Sequence, residues 1–157
     1  HARHHNAIHD ERSGCVFTGD TFGLSYRELD SARGPFVIPT TTPVQFDPEA
    51  LHASIDRLLA LHPKAMYLTH FGRVEDLARM GRDLHACIDA MVAIALGQRA
   101  TADRHAALVD ALGRLYAARA AAHGCRLDDD GVCQVLGMDI ELNAQGLEVW
   151  LDRQSPA

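Results

Sequence analysis

One stretch, residues 13–21, constrains the fold of this chain more than any other. Its apolar, β-prone centre, residues 15–17, lies between two glycines, which predicts a short buried strand. Asp20 follows directly, at the point where the strand gives way to a loop. Loops at the ends of buried strands commonly carry functional groups, because a rigid scaffold holds them in place. Asp20 is therefore a candidate functional residue.

The first half of the chain alternates strand and helix signals. Residues 7–8 read as a weak strand that forms a hairpin with residues 15–18. A helix is predicted to begin at 47–49, where Asp, Pro and Glu give a capping residue, a favoured first position and an acid in the first turn. A further strand at 65–69 leads to His70. This order of elements is typical of an α/β layered fold.

The segment between these elements, residues 21–48, is rich in proline and glycine and is predicted to be largely irregular. A short strand at 36–38 is expected within it. A long irregular stretch in a compact domain is more often a functional loop than a linker.

The second half of the chain is predicted to be helical. Apolar residues recur with helical spacing over three segments: from Val74 to about Gly97, over 102–122, and over 131–152. We therefore expect an α/β domain over residues 1–72 and a C-terminal helical extension over 73–157. The apolar stripes of these helices could pack on the core, cover a site or form a homodimer interface.

Composition and charge argue against several classes of protein. The chain has 157 residues, of which 47% are apolar, and a formal net charge of −6 without a long basic run. This disfavours nucleic acid and anionic membranes as partners. No apolar stretch approaches the roughly 20 residues that a membrane helix needs. The four cysteines form no C-x-x-C pair, which favours reduced thiols in a cytoplasmic protein over a disulfide framework.

Three side chains at the edges of predicted buried elements suggest a metal site: His1, Asp20 and His70. Neutral imidazoles and a carboxylate suit zinc, and equally iron or manganese. The same residues have an ordinary structural interpretation, because His is often half-buried and Asp after Gly often caps a turn. On the residues alone, the structural interpretation is favoured over the metal site.

Three motifs resemble the C-terminal half of a metallo-β-lactamase-fold hydrolase: His1-Ala-Arg-His-His5, Phe17-Thr-Gly-Asp20-Thr21 and Tyr67-Leu-Thr-His70-Phe-Gly72. That superfamily includes glyoxalase II-like thioesterases and lactonases. The resemblance implies an αββα sandwich, of which residues 1–72 would be half. It covers none of the helical extension.

The resemblance also implies a site of two divalent metal ions, zinc in the first instance, with iron or manganese as further choices. His1 would bind one ion, Asp20 would bridge both and act in catalysis, and His70 would complete the second. His5 matches a histidine that supports the ligands. The family's H-x-H-x-D-H motif is absent here and is expected before His1, so the chain reads as a segment of a longer protein.

The activity implied is hydrolysis of a small ester, thioester or lactone by metal-activated water, without a serine or cysteine nucleophile. Tyr26 and Arg27, in the loop after Asp20, could contact a carbonyl oxygen or a substrate carboxylate, although a solvated loop is the favoured interpretation of Arg27. Arg79 is expected on a solvated helix face and His123 on a surface or helix face.

Three other functions stay open at this stage. One is an iron-dependent dioxygenase of the same fold that acts on a sulfur substrate, uses a single metal and does not need His70. Another is a non-catalytic binding or signalling module that keeps the fold. In the third, the motif matches are accidental and the chain is an α/β interaction domain.

Overall fold

A computed structural model describes residues 5–41 and 45–154. Over these ranges the chain is mixed α/β, which confirms the coarse prediction of fold class. The described part contains a four-stranded sheet, four α-helices and one turn of 3-10 helix at Arg27–Leu29. The strands are β1 Ile8–Asp10, β2 Cys15–Gly19, β3 Ala65–Leu68 and β4 Gly72–Val74, and the helices are α1 Pro48–Ala60, α2 Leu77–Gly97, α3 Arg104–His123 and α4 Asp129–Arg153.

The sheet has the strand order β1-β2-β3-β4. Its central pair, β2 and β3, is parallel, and α1 lies in the connection between the two strands. The outer pairs, β1 with β2 and β3 with β4, are antiparallel. Because β2 and β3 run in the same direction, their carboxyl ends meet at one edge of the sheet. Asp20 follows β2 at that edge, and His70 follows β3.

The predicted hairpin is confirmed, with Ile8 opposite Phe17 in the register of β1 and β2. Side chains alternate between the faces of the sheet, as strand geometry requires. Val16 and Met66 are fully buried beneath the helices, whereas Phe17 is 46% exposed on the other face. One face of the sheet therefore carries the hydrophobic core.

The predicted start of α1 is also confirmed. The Asp47 carboxylate accepts a hydrogen bond from the Ala50 backbone N–H at 3.0 Å, and Pro48 occupies the first helical position. Such a cap satisfies one of the N–H groups that a helix leaves without a partner at its start. The predicted apolar face is buried at Leu51, Ile55 and Leu58 and partly buried at Leu59.

Two segments differ from the sequence predictions. Residues 36–38 do not form a strand: Ile38 makes only an isolated bridge to Leu24. Pro35 and Pro39 flank this segment and lack the N–H groups that a longer ladder would need. Val74 belongs to β4 rather than to a helix, so that α2 begins only at Leu77.

The helical layer packs closely on the sheet and its loops. Buried apolar residues from both sides of residue 72 form one hydrophobic cluster, which includes Val16, Met66, Leu84 and Leu147. The boundary at residue 72 stays a prediction. The four cysteines are free thiols. No helix in the described ranges is long and apolar enough to cross a membrane.

Candidate functional site

The structure brings Asp20 and His70 together, although 49 residues separate them in the sequence. Their closest atoms, Asp20 Oδ1 and His70 Nε2, lie 3.6 Å apart. The side chain of Asp20 is 24% exposed and that of His70 is 56% exposed, so both can be reached from solvent. The parallel pairing of β2 and β3 explains the contact, because each residue leaves its strand at the same edge.

The geometry of this pair is compatible with a shared cation. Two ligands held about 2.0–2.2 Å from a tetrahedral ion lie roughly 3.3–3.6 Å from each other. The observed 3.6 Å falls at the upper end of that range and is longer than an ordinary hydrogen bond. The chemistry also fits, since imidazole and carboxylate are common zinc ligands.

The rest of the predicted ligand set lies outside the described residues. His1 precedes residue 5, so its position relative to Asp20 stays untested. Within residues 5–41 and 45–154, no group of three or more His, Cys, Asp or Glu side chains could hold a metal ion. Asp20 and His70 thus supply two ligands, and a complete site would need further ligands from elsewhere.

His5 lies directly beside the turn that positions Asp20. Its Nε2 is 3.0 Å from the backbone oxygen of Thr18, so this nitrogen carries the hydrogen and donates it. The imidazole also covers Gly19, where a Cβ atom would clash with the ring, and Gly19 has a positive φ of 54°. Glycine is therefore required at position 19 for two reasons: the backbone there has a positive φ, and a side chain would occupy the space of the His5 ring.

Tyr26 and Asp139 form a second pair beside His70. The Tyr26 hydroxyl and the Asp139 carboxyl group interact, since each contributes to the shift in the pKa of the other. Burial, together with this carboxyl group, raises the pKa of Tyr26 to about 12, so the phenol keeps its proton at neutral pH. Tyr26 was predicted from the loop position alone, and the structure gives it a defined partner.

Asp139, in α4, is the site residue that the sequence analysis missed. It is only 7% exposed, and its Oδ2 has no hydrogen-bond partner among the described residues. Burial raises its pKa, against the opposing effects of the Tyr26 hydrogen bond and of the nearby His70. The available signal was a pair of polar residues, Asp139 and Asn143, one turn apart on the mostly apolar buried face of α4.

Arg27 lies at the edge of the site rather than in it. Its side chain is 66% exposed and pairs with Asp30 at 3.3 Å, in agreement with the solvated-loop interpretation. Its guanidinium group also lies 3.8 Å above the ring of Phe71, the residue after His70. Arg27 therefore contacts the loop that carries His70, from a position where it could still meet a substrate carboxylate.

A groove of about 850 Å³ begins at His5 and runs along the start of α1 and the end of α4. Phe46 and Trp150 line it and meet edge to face, with their ring centres 6.0 Å apart. Arg153 adds a positive charge at its far side. The groove is large enough for a small organic molecule.

We expect Asp139→Asn to flatten the pH dependence of stability. A carboxyl group whose pKa is raised by folding stabilises the native state at low pH, and this contribution is lost as pH rises from the unfolded value of about 3.9 through the folded value. Urea unfolding near pH 4 and near pH 7, with EDTA present, measures the effect. The wild type should lose more stability than the variant over this interval, and equal losses would contradict this account of Asp139.

Comparisons with protein-family models, with curated proteins and with solved structures found no match for this chain. The resemblance to the metallo-β-lactamase superfamily therefore stays a prediction that depends on three short motifs. The chemistry of Asp20, His70 and their neighbours is the remaining guide to function.

Proposed function

We propose that this chain is the C-terminal half of a metal-dependent hydrolase with a metallo-β-lactamase-like αββα fold. Its substrate would be a small ester, thioester or lactone. The observation that supports this most is the convergence of Asp20 and His70, 3.6 Å apart at the carboxyl edge of two parallel strands. The acidic net charge of −6 favours a small molecule over nucleic acid as substrate.

The proposed cofactor is a pair of divalent ions, zinc first and iron or manganese otherwise. Asp20 and His70 would each provide one ligand, and His1 would provide another. When bound, such ions supply Lewis acidity that polarises a carbonyl group and acidifies water. The remaining ligands are expected before His1, in an H-x-H-x-D-H motif.

The other residues of the site would hold its parts in place. His5 packs against the backbone of Thr18 and Gly19 and so fixes the turn that carries Asp20. Asp139 would accept a hydrogen bond from Tyr26 and so set the direction of the phenol. Because the phenol stays protonated at neutral pH, a small rotation would let it donate to a substrate carbonyl instead.

The exposed face of the sheet supports the proposed sandwich. Ile8, Phe17 and Tyr67 occupy one row across β1, β2 and β3, since Ile8 pairs with Phe17 and Phe17 pairs with Tyr67. Phe17 and Tyr67 stack with their ring centres 4.9 Å apart, while Ile8 is 63% exposed. A second sheet packed on this row would bury it, as the αββα arrangement requires.

The proposal extends to assembly and location. A homodimer through the C-terminal helices would use the outer face of α4, where Met138 is 77% and Leu142 is 39% exposed one turn apart. The free thiols are compatible with a cytoplasmic protein.

Metal analysis and activity assays on protein that includes any residues preceding His1 test the proposal. We expect about two divalent ions per chain at the site of Asp20 and His70, besides any ion bound elsewhere in the chain, and metal-dependent hydrolysis of at least one member of an ester, thioester and lactone panel. Stoichiometric metal without hydrolysis would point to a binding module. One iron per chain with oxygen consumption would point to the dioxygenase. Either result would overturn the proposed reaction.

A further inference from the structure

A second cluster of histidines and carboxylates lies away from the candidate site, between α1 and α2. His52 Nδ1 and His85 Nδ1 are 2.6 Å apart. The other nitrogen of each ring contacts an acid: His52 Nε2 lies 3.1 Å from Asp89, and His85 Nε2 lies 3.1 Å from Asp56. The two helices thus present a symmetrical row of carboxylate, imidazole, imidazole and carboxylate.

The two rings meet edge to edge rather than face to face. Their planes differ by only 14° and their centres are 4.9 Å apart. With the Nδ1 atoms 2.6 Å apart, ring centres 4.9 Å apart are as far from each other as the size of an imidazole ring allows. Both Nδ1 atoms therefore lie on the line between the two ring centres. The in-plane lone-pair directions of the two nitrogens therefore point at each other.

This arrangement requires a cation between the rings. A carboxylate only accepts hydrogen bonds, so each Nε2 carries a hydrogen and donates it to Asp89 or Asp56. Each neutral ring then has its Nδ1 unprotonated, and two such acceptors at 2.6 Å repel each other. Either a shared proton or a metal ion removes the repulsion.

We propose that His52 and His85 form a binding site for a divalent transition-metal ion such as Zn²⁺, separate from the candidate active site. Imidazoles that bind metals usually donate their other N–H to a carboxylate, as both rings do here. The two carboxylates carry a formal charge of −2, which one divalent ion neutralises and one proton does not. An increase in the distance between the two Nδ1 atoms from 2.6 Å to roughly 3.3–3.6 Å would give the separation of two ligands on one tetrahedral ion.

Solvent reaches both imidazole rings. The side chains of His52 and His85 are 26% and 28% exposed, so water can complete the coordination of an ion that has two protein ligands. The ion would join α1 to α2, which already approach closely where Gly81 meets Leu59. Metal binding would stabilise the contact between these helices, because an ion that binds only the folded chain favours folding.

Equilibrium dialysis of the full chain against Zn²⁺ tests the site, with His52→Gln and His85→Gln as variants. We expect each variant to bind one Zn²⁺ fewer per chain than the wild type and to lose the rise in melting temperature that this ion produces. Asp89→Asn should keep the site but weaken its Zn²⁺ affinity by about 10-fold or more, because it removes the outer hydrogen bond of one ligand.

Two controls separate this site from others. His9→Gln, a histidine exposed on β1, should bind as many ions as the wild type. Asp20→Asn should also keep this particular ion, so failure of the hydrolase proposal leaves this test intact. Equal Zn²⁺ stoichiometry in the wild type, His52→Gln and His85→Gln, with each variant folded by circular dichroism, would overturn the proposal and leave a proton-sharing histidine pair.

Discussion

Asp20→Asn is expected to reduce metal-dependent hydrolysis by more than about 100-fold, since even the outer partners of metal ligands contribute about 10–100-fold. Asparagine keeps the size of the side chain but removes the charge that would bind and bridge two cations. The same variant should lose metal, from about two ions per chain to one or none in the active site. Steady-state assays and metal analysis on the same preparation measure both effects.

A matched control is Asp110→Asn, in which an exposed acid of α3 is changed in the same way. It should keep the activity and metal content of the wild type. If Asp20→Asn hydrolyses the substrate as fast as Asp110→Asn, Asp20 does not act in catalysis. Full metal content in Asp20→Asn would equally contradict its role as a ligand.

The second large effect is expected at Asn143, which is 1% exposed and joins α4 to the loop before α1. Its Oδ1 accepts a hydrogen bond from Thr41 N at 2.8 Å, and its Nδ2 donates to Pro39 O at 3.1 Å and to Tyr116 Oη at 2.8 Å. Asn143→Ala would remove all three hydrogen bonds from a buried position, although Tyr116 Oη would keep the hydrogen bond that it donates to Met91 Sδ. We expect the free energy of unfolding to fall by about 3–5 kcal/mol.

Chemical denaturation of the wild type, Asn143→Ala and Gln134→Ala measures this effect. Gln134 is an exposed amide on the same helix, so its replacement should change stability by less than about 0.5 kcal/mol. A loss below about 1 kcal/mol in Asn143→Ala would show that water replaces the hydrogen bonds and that Asn143 does not hold the loop to α4.

The elements that the sequence predicted are those with strong local signals. The cap at Asp47 and the glycine-bounded run before Asp20 depend on neighbouring residues, and both appear as expected. The three-residue strand β4 was missed because its pairing with β3, rather than its own composition, makes it a strand. Residues 36–38 are β-prone in composition, but apart from the isolated bridge between Ile38 and Leu24 they pair with no strand of the described sheet, so they do not form a strand.

The sequence was least informative about buried polar side chains. Arg79 was predicted on a solvated face, yet it is 8% exposed and bonds Asp76, Asp83 and the backbone oxygen of Pro35. The prediction for Arg79 is wrong, because the loop that contains Pro35, 44 residues earlier in the chain, covers this side chain. His123 lies at the end of α3, so the helix part of its predicted placement holds, but it is 5% exposed and donates to the Gly34 backbone oxygen at 2.9 Å, so it is not a surface residue.

In the candidate site, too, the residues that have a local sequence signal were predicted, and the residue that is placed by tertiary packing was missed. Asp20 and His70 were found because each follows its own strand signal. Asp139 was missed because it reaches the site from α4, through the packing of the helical layer. Tertiary packing of this kind has no local pattern in the sequence.

The most direct test of the central claim is an experimental structure of the protein with zinc, including any residues that precede His1. The hydrolase proposal predicts an ion with Asp20 and His70 both within about 2.0–2.2 Å of it, and a second ion bound by His1 and Asp20. Zinc bound elsewhere, with Asp20 and His70 in contact only with each other or with solvent, would contradict it.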